Sequence, residues 1–245
     1  MKSSRGITWL RIGAESIAIV ASILLAFAID AWWADRQLRL DLQQNLVALS
    51  GELESNLRLI DRELSYRQAV ISSIETLTQN KPGDGALSPD HVDRLLGDLL
   101  WLGRSGFSSG ALNSILQTGL LAEIRDGELR RLLAALPASY QFVEQFERND
   151  IESTQGRLYP YINQNGSFTQ IANTQRSGRP GTDEFLDYTE YRLVERREHA
   201  QLLQSDEFLG LLAQEHWDHY NVAHALRRLR PEIERAITLI DSLMP

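Results

Sequence analysis

The residues RIGAESIAIVASILLAFAIDAWWADRQ, Arg11 to Gln37, decide the architecture of this chain. From Ile12 to Trp33 they make 22 residues. As a helix that is about 33 Å at ~1.5 Å per residue, against a bilayer hydrocarbon core of about 30 Å. Trp9 stands before the segment and Trp32 and Trp33 follow it, where interfacial aromatics anchor a membrane helix. The uncharged interval is shorter, Ser16 to Ile29. Glu15 and Asp30 must therefore sit at the headgroups or be satisfied inside a bundle, and Arg11, four residues before Glu15, shares its helical face and can neutralise it.

Two other readings compete with a retained anchor. Lys2, Arg5 and Arg11 ahead of the apolar run, with Ala26-Phe27-Ala28 as a small-x-small site, fit a cleaved signal peptide. A buried helix of a soluble domain is the third. Apolar character continues past Ala28 through Ile29, Ala31 and the two tryptophans, which favours the anchor. Inside the span, Ala14, Ala18, Ser22 and Ala26 recur every fourth residue, a face of small side chains on which membrane helices pack closely. Lys and Arg are slightly denser before the span (Lys2, Arg5, Arg11) than after it (Arg36, Arg39). This predicts a cytoplasmic N-terminus, residues 1–11, a span over 12–33, and a periplasmic domain over 34–245 of a bacterial inner-membrane protein.

Beyond the span the chain reads as helix. Leu42, Leu46, Leu49, Leu53, Leu57, Ile60 and Leu64, continued by Ile71, Ile74 and Leu77, keep helical spacing. One helix is expected to run from the anchor to about Thr78, and Asn80 to Gly85 (NKPGDG) should break it. Ser88-Pro89 opens a second helix. A short one covers Ala111 to Thr118 and ends at Gly119. Asp126 caps a further helix that Pro137 is expected to kink or break. Residues 163–183, rich in Gly, Asn, Gln, Ser and Thr, read as a long loop flanked by Tyr159, Tyr161 and Phe168, a possible ligand region. Helix should resume near Glu184. The last helix follows Ser205 along Leu209, Leu212, His216, His219, Ala223, Leu226, Ile233, Ile237, Ile240 and Met244, with Pro231 bending or splitting it. No strand-period alternation of useful length occurs. The expected fold is all-α: a transmembrane helix continuing into a long amphipathic helix, packed with shorter helices and a long C-terminal one.

Composition narrows function. The 245 residues carry a net charge of −8, which disfavours nucleic acid as a partner. With no Cys there is no thiol nucleophile and no thiolate metal site. Gly103, Gly106 and Gly110 lack the Lys of a phosphate loop, and there is no Gly-x-Ser-x-Gly elbow. His216 and His219, with Glu215 beside them, are the weak metal candidates. Glu215 and His219 stand one turn apart, as do Glu195 and His199, yet neither Glu-x-x-His nor His-Glu-x-x-His is present.

Two segments together resemble an uncharacterised family of bacterial single-pass membrane proteins. AESIAIVASILLAFAIDAWWADRQ is similar to its Glu-containing hydrophobic helix, with Ile29-Asp30-Ala31-Trp32 at an Ile-Asn-x-Trp-like boundary. ALNSILQTGLLAEIRDGELRRLLAAL, Ala111 to Leu136, is similar to a second segment through Gly119, Leu121, Ile124, Asp126, Leu129 and Arg130. The resemblance implies topology and helical content and no activity, substrate or cofactor. The function expected is therefore a non-catalytic membrane-anchored interaction or assembly protein. It would self-associate through its first helix as a homo-oligomer, with the lipid bilayer and other membrane or periplasmic proteins as further partners. The alternatives are a ligand-sensing helical module acting through a partner and, last, a metal-dependent enzyme using the His216/His219 region.

Overall fold

The computed structural model describes residues 8–79, 87–174 and 197–244, with side chains from residue 13 onward. Among these there is no strand. The chain forms α1 (Thr8–Gln79), α2 (Pro89–Leu99), α3 (Gly110–Gln117), α4 (Gly127–Ser153), α5 (Tyr159–Asn165), α6 (Phe168–Thr174) and α7 (Asp206–Leu243). Two 3₁₀ turns, Leu120–Glu123 and His199–Gln204, and a π-helical turn, Thr154–Leu158, complete it.

The first helix is unbroken for 72 residues. Anchor and amphipathic segment are one rod, as the absence of breakers before Asn80 requires. The expected NKPGDG break lies outside the described residues. α7 lies antiparallel to α1, since Asp61 meets Arg230, Arg67 meets His219 and Glu75 meets His216 in descending order along α7. α4 runs parallel to α1, for Asn56 meets Tyr140 and Arg67 meets Asp150.

Local chemistry explains the ends of these helices. Asp126 accepts the Leu129 amide at 2.8 Å as the N-cap of α4, and Ser205 accepts the Phe208 amide at the start of α7. Ser88 occupies the cap position of α2 without a side-chain bond. α3 has no cap of its own; Glu52 of α1 accepts the Ala111 and Leu112 amides at 2.8 and 3.1 Å instead. Gly119 ends that region at φ +80°, a backbone state in which a side chain is strained.

Of the kink or break expected at Pro137 and the bend or split at Pro231, the break and the split do not occur: α4 and α7 continue through them. A mid-helix proline costs about 3 kcal/mol. Here buried Leu133, Leu136 and Tyr140 flank one, and Leu229, Ile233 and Ala236 the other, so packing on both sides offsets it. The loop expected over 163–183 is partly helix: α6 turns Ile171 and Gln170 into the core despite its polar composition. The remainder of that loop from 175, and the helix expected near Glu184, lie outside the described residues.

The core is divided in two. One cluster joins Leu46–Ile60 of α1 to α3, Leu129–Val143 of α4 and Val222–Ile240 of α7. The other joins Val70–Leu77 of α1 to α2, Leu158, Ile162, Ile171, Leu202, Phe208 and Leu212. Between them, at matching heights on α1, α4 and α7, the buried residues are polar.

Candidate functional site: a buried polar layer

Arg67 is the centre of that layer. Its side chain is fully buried, which is costly for a guanidinium unless its charge is paired. α1 places it one turn after Glu63 on the inward face. Nη1 donates to Asp150 Oδ2 of α4 and to His219 Nδ1 of α7, the latter at 2.7 Å, and Nη2 donates to the Gly103 carbonyl at 3.1 Å. A Cβ at Gly103 would stand 2.6 Å from Glu63 Oε2 and 3.1 Å from Trp101 Nε1, so those side-chain ends would have to shift. Glu147, a turn before Asp150, accepts the Ser105 amide and hydroxyl at 2.9 and 2.5 Å, tying the 100–109 loop to the same layer.

Protons can be placed from this geometry. Arg67 has only donors, so His219 Nδ1 accepts and the ring proton is on Nε2. Burial, then the positive charge of Arg67, push His219 well below its ordinary value, so the ring is neutral. Thr154 Oγ1 lies 2.9 Å from the Asp150 carbonyl and 2.8 Å from Glu215 Oε2. The Thr154 hydroxyl donates to Glu215 Oε2, while the Asp150 carbonyl also accepts the Thr154 backbone N–H. Burial pushes the Glu215 carboxyl up to about 8, with the Thr154 hydrogen bond pulling it back. Burial also raises Glu63, Glu147 and Asp150, with Arg67 pulling each of them back. One buried cation, Arg67, thus faces four carboxyl groups whose charged forms burial disfavours.

Asp150, Glu215 and His219 each bring one ligand atom within 4.8 Å of the others, a spacing a metal ion could use. The chemistry of the set opposes it. His219 Nε2 carries the proton and offers no lone pair, and the Arg67 guanidinium touches both Asp150 and His219. Among the described residues four buried side-chain atoms lack hydrogen-bond partners: Asp150 Oδ1 and His219 Nε2, 3.9 Å apart, and Glu63 Oε2 and Arg67 Nε, 4.0 Å apart.

The sequence candidates separate. Glu215 and His219 join the layer. His216, three residues earlier, turns away from it, with Nε2 3.6 Å from Glu75 in a half-exposed pair. Tyr159 donates to the Leu100 carbonyl at 2.5 Å and packs edge-on against Phe168. Tyr161 donates to Ser205 and stacks on Phe208. These three aromatics are occupied in holding the second core together. Trp32 and Trp33 are exposed beside each other at the end of the span, with Arg36 over the Trp32 ring. The side chains of Trp9 and Arg11 lie outside the described residues, and so does the Arg11–Glu15 pair. Glu195 lies outside them too.

His199 finds another partner. Its Nδ1 is 2.6 Å from Asp93 Oδ1, and its Nε2 accepts the Ser167 amide at 2.8 Å. Asp–His orientation is a feature of catalytic bases, but this imidazole spends its lone pair on backbone. Gly166 permits the approach, since a Cβ would stand 3.0 Å from the ring. Gln170 completes the clamp through Asp93 and the backbone of Arg197.

Sequence reasoning missed Arg67, Glu63, Glu147 and Asp150. Their signal was present as charges on otherwise apolar seams: Ile60, Glu63, Arg67, Val70 in α1, and Tyr140, Val143, Glu147, Asp150 in α4. Compared with family models, curated proteins and solved structures, the chain has no match.

Proposed function

We propose that the protein is a single-pass, membrane-anchored helical scaffold that works by assembly rather than by catalysis. The observation that carries this reading is the exposure of the whole apolar segment. Ile17 is 71% exposed and Phe27 65%, and no residue of the segment packs on the domain. So much contiguous apolar surface needs a cover, and a bilayer supplies one of the right thickness. Helix continuity supports retention of the segment, because cleavage after Ala28 would cut through the middle of an unbroken rod. The buried polar layer supports a non-catalytic role: its titratable groups lie between two apolar cores, with Arg67 held by Asp150 and His219. On the charge bias of Lys2, Arg5 and Arg11, the domain faces the periplasm of a bacterial inner membrane.

The test uses the absence of Cys. A single cysteine at exposed Ala213 reports its side of the membrane to an impermeant maleimide in intact cells and spheroplasts. Retention in the pellet at alkaline pH is expected, with labelling once the outer barrier is opened. Extraction into the supernatant overturns the anchor, and labelling only after lysis overturns the orientation.

A further inference from the structure

Glu215 is a buried carboxyl with no cation of its own. It is 1% exposed, and its hydrogen bond comes from the Thr154 hydroxyl at 2.8 Å. Asp150, Glu215 and His219 each bring one atom within 4.8 Å of the others, so two carboxyl groups share one small buried space. The charged and titratable groups that face Glu215 come from each helix packed there. α4 contributes Asp150, α5 contributes Tyr159, α1 contributes Arg67, and α7 itself contributes Asp218 and His219. Only Arg67 among them is cationic, and its Nη1 already serves Asp150 and His219. The His219 ring is neutral. Burial, then the charges of Glu215 and Asp150, push the Tyr159 hydroxyl up to about 12, so it is neutral too.

The Thr154 contact falls where α4 changes geometry. Thr154 opens the π-helical turn Thr154–Leu158, a rare form that occurs mostly at functional positions. Leu158, at the far end of the turn, belongs to the second core, whereas Val143 of α4 belongs to the first. The turn therefore joins the two cores, and Glu215 meets that joint from α7.

We propose that this joint is a proton-operated latch: α7 stays closed on the end of α4 while the Glu215 carboxyl keeps its proton, and loss of the proton opens the joint locally. In the opening step the Glu215 O–H bond breaks, its proton passes to base in the solvent, and a carboxylate is left beside Asp150. Two like charges this close repel, and the single guanidinium is already engaged by Asp150. An unpaired buried charge is strongly destabilising, and water relieves it. Water reaches the carboxylate only when α7 and the end of α4 draw apart. Burial raises the Glu215 carboxyl to about 8, which sets opening to mildly alkaline pH.

Single cysteines in the full chain test the latch, because the chain has no Cys. Ala223→Cys places a thiol on the buried face of α7 one turn beyond His219, and Ala236→Cys places one in the first core. Ala213→Cys is the exposed reference, whose rate divides out the ionisation of the thiol itself. Relative to that reference, maleimide labelling at position 223 in mild detergent should rise at least tenfold between pH 6.5 and 9, following the ionised fraction of a group that titrates at about 8. Labelling at position 236 should remain at least tenfold slower than at 223 at pH 9. Glu215→Gln, which cannot ionise, should remove the rise at 223. Glu215→Met takes its place where circular dichroism shows the amide chain to be unfolded. No rise at 223, or the same rise without the carboxyl, overturns the latch. Equal rates at 223 and 236 would show the whole domain unfolding and overturn it as well.

Discussion

The two halves of α1 share one backbone and meet opposite fates. From Gly13 to Gln37 every side chain is exposed, and most are apolar. From Leu46 to Leu77 only one face is apolar, that face is buried, and two charged residues sit within it. The first half is long and apolar enough to cross a membrane. The second half depends on α4 and α7, which supply both its apolar partners and the counter-groups for Glu63 and Arg67. The difference teaches that helix propensity and length alone set neither environment; the distribution of charge around the rod does.

The largest effect expected from breaking this contrast is at Arg67. Arg67→Ala strands buried Asp150 and leaves His219 Nδ1 without its donor, so unfolding free energy should fall by about 3–5 kcal/mol. A urea melt of the domain followed by circular dichroism measures it, and a loss under 1 kcal/mol would show the layer to be solvated. Next comes the inward face of α1. Leu53→Ala should cost about 2–5 kcal/mol in the same melt, whereas Val47→Ala on the outward face should cost under about 0.5 kcal/mol to the single chain. In the membrane half, Leu24→Arg should disfavour insertion by about 3 kcal/mol and shift the protein out of the alkali-resistant pellet.

The pH response of the layer is smaller and has a definite sign. Folding raises the Glu215 pKa from 4.5 to about 8, so the folded state holds a proton that the unfolded state releases. Its stabilising linkage is complete below pH 4.5 and is lost as pH rises through about 8, by up to ~1.4 kcal/mol per unit. His219, lowered by folding, acts oppositely: stability is lost as pH falls below its unfolded value near 6.5. Stability should therefore fall by on the order of 1–2 kcal/mol between pH 6.5 and 8, where Glu215 dominates. Glu215→Gln, which removes the titrating carboxyl and keeps an acceptor for Thr154, should lose less than half as much over that range. Equal slopes would remove Glu215 from the account. The smallest effect expected is Asp126→Ala, about 1 kcal/mol from the lost cap of α4.

Much of the fold was legible because it rests on local rules. The length of α1, the Asp126 and Ser205 caps, the Gly119 stop and the all-helical architecture follow from periodicity and backbone chemistry within a few residues. Pro137 and Pro231 break neither helix, because the local penalty of about 3 kcal/mol is offset there by tertiary packing that sequence spacing does not show. The metal candidates His216 and His219 separate for a similar reason. His216 and His219 look equivalent along an apolar seam, and only the angular position of α7 against α1 and α4 sends one to Glu75 and the other to Arg67.

By itself the sequence determined that the chain is helical, that its first segment suits a bilayer, and that no cysteine chemistry is open to it. These depend on side-chain type and spacing along one strand of chain. The pairing of Arg67 with Asp150 and His219, the protonated state of Glu215, and the clamp of His199 between Asp93 and Ser167 were decided only in three dimensions. Each joins residues 32 or more positions apart. The ionisation of a buried group is set by what surrounds it, and residue spacing along the chain does not carry that information.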